Sequence, residues 1–142
     1  MSGCVTVLQL TQCASLSSLP EMSFSILLVD DEEVIRTLSK RVLTKAGHTV
    51  FLASTGREAL AMFESAAPHI VITDLVMPDM EGLELIRALR KSFPSLKIIA
   101  ISGKFQGQFL KVAEAFGVKA TLQKPFDPAQ LLEVVNRVAA QN

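Results

Sequence analysis

The sequence contains no tryptophan and no tyrosine, and only two histidines and two cysteines among its 142 residues. Without Trp or Tyr there is no large aromatic pair to sandwich a flavin. Both cysteines, Cys4 and Cys13, precede residue 23, so the rest of the chain carries neither a disulfide framework nor a thiolate metal site. A reducing, cytoplasmic setting is the expectation that follows. No sign of charge dominates: fourteen Lys and Arg offset fourteen Asp and Glu. A nucleic-acid module would need a cationic excess, so no direct nucleic-acid binding is expected. No apolar run approaches the roughly 18 residues of a membrane span, so no membrane partner is expected. Residues 1–22 hold a single charged side chain, Glu21, and no Lys or Arg to open a secretory signal.

What is present is apolar residue in quantity, 49% of a chain long enough to bury one sizeable core. Residues 1–22 read as a nearly uncharged leader, disordered or vector-derived, and Met22 before SFSILLVDDEE looks like a natural start. Residues 23–142 read as one domain. From Phe24 onward, short Ile/Val/Leu runs alternate with stretches of helical period, the pattern of an α/β parallel sheet wrapped by crossover helices. The runs at 24–29, 49–53, 69–73, 96–101 and 118–123 predict five strands. Helices are expected over 31–46, 56–66, 80–92 and 127–140, with a Gly-containing fourth helix between Ser102 and Gly117. In the first helix, Val34, Ile35, Leu38, Val42 and Ala46 share one face and are expected to be buried, with Glu32, Arg36, Lys40 and Lys45 opposite. Gly47 should cap that helix, Ser54-Thr55 should open the second, and Asp127 with Pro128 should open the last.

Ligands bind an open parallel sheet beyond the carboxyl ends of its strands, so the residue after each apolar run matters. The first run ends in Asp30-Asp31, the third in Asp74, the fourth in Ser102 and the fifth in Lys124. Each has an ordinary explanation alone: an acidic helix start, a turn residue, a cap, a lysine reaching water. Together they place three carboxylates, a hydroxyl and an ammonium at one sheet edge if those strands are neighbours. Two carboxylates near 4 Å repel by about 4 kcal/mol at an effective dielectric of 20, so the cluster should take up a proton or a cation. An all-oxygen site suits a hard divalent ion of the magnesium type. His48 and His69 precede their strands and belong at the opposite edge. With Asp30 and Asp31 on the metal, Asp74 can act as a nucleophile toward a phosphoryl group, and Lys124 and Ser102 can contact its oxygens.

ILLVDDEE at 26–33, ITDLVMPDMEGLELI at 72–86, IIAISG at 98–103 and LQKPF at 122–126 together resemble the receiver domains of two-component response regulators, the chemotaxis regulators among them. The resemblance implies a doubly wound, flavodoxin-like sheet of strand order 2-1-3-4-5 with five helices. It makes Asp74 the phosphoacceptor for a histidine kinase or phosphotransfer protein, and Asp30, Asp31, Asp74 and the main-chain carbonyl of Val76 the ligands of Mg2+. It makes Ser102 the switch hydroxyl and Lys124 the phosphate-contacting lysine, with a cis Lys124-Pro125 bond. The domain is then a signalling phosphoprotein and not an enzyme, beyond slow self-dephosphorylation. Thr121 stands where the family often has an aromatic switch residue. Val76 and Lys104 hold the positions that influence phosphate lifetime, and Val76 cannot orient a hydrolytic water. Phe105 and Phe109 belong either to the core or to the surface of helix 4, strand 5 and helix 5. That surface is where a downstream effector protein, or a second copy in a homodimer, would contact the domain. The rival readings are a magnesium-dependent phosphohydrolase with an Asp nucleophile, in which Val76 replaces the needed second acid, and a scaffold receiver that is not phosphorylated.

Overall fold

The computed structural model of the chain describes residues 23–75, 82–103, 111 and 113–141. The expectations for residues 1–22, for Val76 and for Lys104, Phe105 and Phe109 fall outside them. The strands β1 (Ser25–Val29), β2 (Thr49–Ala53), β3 (Ile70–Asp74), β4 (Lys97–Ser102) and β5 (Ala120–Gln123) form one parallel sheet in the order β2-β1-β3-β4-β5. The helices are α1 (Glu33–Lys45), α2 (Gly56–Ala66), α3 (Gly82–Ser92) and α5 (Pro128–Ala139). Between β4 and β5 lies α4, represented among the described residues by helical positions 111 and 113–115. No helix of the described residues is long and apolar enough to cross a membrane.

Both faces of the sheet are covered, which is why β1, β3 and β4 are almost continuously apolar rather than alternating. Leu27, Val29, Val71, Ile98 and Ala100 point to the α2/α3 side and pack with Phe63, Leu85, Ile86 and Leu89. Ile26, Leu28, Ile70, Ile72, Ile99 and Ile101 point the other way, toward Leu43 of α1 and Leu131, Val134, Val135 and Val138 of α5.

The local stop and start signals act as the sequence suggests. Gly47 leaves α1 at φ +102°, a left-handed conformation that glycine adopts without steric cost. The Thr55 hydroxyl accepts from the Glu58 N–H at 3.0 Å, and Asp127 and Gln130 form a reciprocal capping box at the start of α5. The exception is the buried face of α1. Leu43 and Ser39 are buried and Ile35 and Val42 half-buried, whereas Val34 and Leu38 are 68% and 50% exposed and Ala46 is exposed. The inward stripe is therefore 35, 39, 42 and 43. It is rotated from the most apolar face because α1 packs on both the sheet and α5, where Ser39 lies near Leu131 and Phe126.

The two histidines fasten the opposite end of the sheet. His48 Nδ1 accepts the Phe24 N–H at 3.2 Å, and His69 Nδ1 accepts the Ser25 N–H at 3.0 Å. Both nitrogens must be unprotonated to do so. Burial holds the His48 imidazole below its ordinary pKa of 6.5. The unfolded chain therefore takes up that proton first, and the contribution is intact above the unfolded pKa and lost as pH falls through the folded one. His48→Gln keeps a neutral acceptor. Chemical denaturation between about pH 7.5 and 5.5 should show a shallower loss of stability in this variant than in the wild type.

Candidate functional site

Strand register builds the site. Val29 pairs with Thr73, Asp74 with Ile101, and Ser102 with Gln123. Asp30, Asp74, Ser102 and Lys124 therefore follow one another along the carboxyl edge of four adjacent strands. Asp30 and Asp74 are buried, Asp31 is exposed, and one oxygen from each carboxylate lies within 4.8 Å of the others. Ser102 is 1% exposed, and its hydroxyl has no hydrogen-bond partner among the described residues.

Lys124 directly follows β5, two strands from β3, or roughly 10 Å at ordinary strand spacing. Its side chain spans that gap. Nζ lies 3.0 Å from Asp74 Oδ2 and 2.9 Å from Asp30 Oδ2, the latter close enough for a charge pair but off the line of a hydrogen bond. It also donates to Glu32 Oε1. Burial alone would lower the lysine pKa, but the hydrogen bonds to Glu32 and Asp74 and the charge of the Asp30 carboxylate beside it outweigh burial and raise the value. The opposite balance holds at Asp30. Desolvation lifts its carboxyl to about 6, against the lowering effects of the Glu32 N–H and Lys124. One ammonium does not satisfy this edge. The Lys124-Pro125 peptide is cis, as the resemblance implies.

Three supporting residues were not singled out as site residues from the sequence. Glu32, placed there on the solvent face of α1, sits at the helix N-cap without a side-chain capping bond and has turned to Lys124. Arg36, also placed on that face, donates to the Asp30 carbonyl at 2.7 Å. Gly82 closes the loop after Asp74: its N–H meets the Leu75 carbonyl at 2.9 Å, and a Cβ there would lie 1.8 Å from the Asp74 carbonyl oxygen. Sequence spacing carries no signal for the first two. For Gly82, the hint is a glycine just after the acidic stretch that follows Asp74.

The response regulator receiver domain model matches residues 26–136. The chain belongs to this family. The receiver is 38% identical over 121 residues to the chemotaxis protein CheY of Thermotoga maritima, covering 83% of this chain and 99% of that one. It is also 38% identical over 118 residues to sensor kinase CckA of Brucella abortus, covering 82% of this chain but only 12% of that protein. The crystal structure of the NtrX receiver domain from Brucella abortus superposes with a TM-score of 0.78 at 31% identity, over 82% of this chain and 99% of that one. The flavodoxin-like sheet order and the signalling class of the domain are thus those of its relatives.

The close approach at Gly82 makes a direct prediction. Gly82→Ala must push apart the backbone that carries Asp74, at a cost of about 1–3 kcal/mol as for other overpacked sites, read as a lowered midpoint in urea unfolding.

Proposed function

We propose that this receiver takes a phosphoryl group onto Asp74 from the phosphohistidine of a histidine kinase or phosphotransfer protein. The observation that carries the reading is the convergence of Asp30, Asp31 and Asp74 beside Lys124 and the buried Ser102 hydroxyl, which has no partner among the described residues. The donor set fits Mg2+: every candidate ligand is oxygen, the three carboxylates outnumber the Lys124 ammonium, and burial lifts the Asp30 carboxyl to about 6, a cost that a bound cation would offset. Asp30, Asp31 and Asp74 would hold the ion, with the main-chain carbonyl of Val76 as the further ligand that the family resemblance assigns. When bound, the ion supplies positive charge against the carboxylates and the transferred phosphoryl oxygens.

The chain's own residues do the rest. An Asp74 carboxylate oxygen attacks phosphorus, the phosphorus–nitrogen bond of the donor breaks, and the imidazole leaves with its electron pair, giving an acyl phosphate on Asp74. Lys124 then pairs with a phosphoryl oxygen, and a second phosphoryl oxygen accepts from the Ser102 hydroxyl. Movement of Ser102 and Lys124 is coupled to β4 and β5, so the readout surface is that of α4, β5 and α5, where an effector protein would bind. The exposed Val34 and Leu38, one turn apart at the start of α1 beside Asp30 and Asp31, suit an apolar contact with the donor protein.

Incubation with acetyl phosphate or beryllofluoride and magnesium should give one adduct by intact mass, absent in Asp74→Asn. An adduct that persists in that variant, or none on the wild type, refutes the assignment. Self-dephosphorylation should be slow because Val76 offers no polar group to orient water. Val76→Asn should shorten the phosphate half-life severalfold, followed as decay of the phosphorylated mass after donor removal.

A further inference from the structure

Lys124 and the proposed cation need the same two carboxylates, Asp30 and Asp74. The ammonium lies 2.9 Å from Asp30 and 3.0 Å from Asp74, and both carboxylates belong to the candidate metal cluster. A divalent ion on those carboxylates repels an ammonium at contact distance, so cation entry favours a Lys124 that draws back. Glu32 is the third carboxylate on Nζ and is not one of the cluster residues. Its side chain is 58% exposed, at the rim of the site. It occupies the N-cap of α1 yet makes no capping bond, leaving its carboxylate for the lysine. Its backbone N–H is tied to Asp30 Oδ1 at 2.9 Å, so the residue that keeps the ammonium is fastened to one that releases it.

We propose that Glu32 is a positioning residue that holds the Lys124 ammonium at the rim when a divalent cation takes the oxygens of Asp30 and Asp74. The inference rests on the magnesium-dependent reading above. Without the Glu32 charge, Lys124 keeps, among the described residues, only the two carboxylates that the cation needs, and it competes for them. Removing a nearby negative charge would weaken cation binding by itself. A double-mutant cycle with Lys124 separates the two causes, because the holding role vanishes when there is no ammonium to hold.

The full chain, with no Trp or Tyr for fluorescence, is titrated with magnesium by calorimetry or amide NMR shifts. Glu32→Gln should weaken binding about threefold, a size suited to a solvent-exposed pair, with an unchanged thermal midpoint. Lys124→Met should bind magnesium more tightly, and adding Glu32→Gln to it should change nothing further. An equal loss in both backgrounds makes Glu32 a general charge, and no loss in either gives it no role; each overturns the proposal. Wild-type protein that forms the Asp74 adduct but ignores Glu32→Gln loses only this inference. Wild-type protein that neither binds magnesium nor forms an adduct loses the functional reading with it.

Discussion

The structure is organised around a charge conflict at the carboxyl edge of the sheet. Asp30 and Asp74 are buried side by side with Asp31 at their rim, and among the described residues one lysine reaches them, from the end of β5 across β4. At such separations, carboxylate repulsion of about 4 kcal/mol per pair is comparable to much of a domain's net stability. The apolar sheet beneath, covered on both faces, is what holds these groups together against that repulsion.

Local rules are kept away from this edge and broken at it. Thr55 and Asp127 cap their helices with ordinary side-chain hydrogen bonds. Glu32 does not: the capping position at the site is given over to Lys124. Ser102 is buried with a hydroxyl that finds no partner among the described residues, where natural cores nearly always supply one. Such departures are expected where a protein holds groups ready for a ligand instead of for its own stability.

Most of the fold was legible because its signals are short in range. The bounds of β2 and α2, the stop at Gly47 and the opening of α5 follow from residues within a few positions of each element. The buried face of α1 was not. Helical period marks Val34 and Leu38 as apolar, but which side turns inward depends on where the sheet and α5 meet the helix. In the same way, Glu32 and Arg36 look like ordinary members of a solvated face, because their partners, Lys124 and the Asp30 carbonyl, become neighbours only after the chain folds.

By itself, the sequence determined the alternation of strands and helices, the charged and hydroxyl residues that end four strands, and the family those residues resemble. Each depends on hydrophobic period or on residue order, which are properties of the linear chain. Tertiary structure alone decided that Lys124 bridges Asp30, Asp74 and Glu32, that the Asp74 carbonyl leaves no room for a side chain at Gly82, and that the Ser102 hydroxyl is buried with no partner among the described residues. These relations join residues from separate strands and loops. Distance between them is set by strand order and register, which no local pattern encodes.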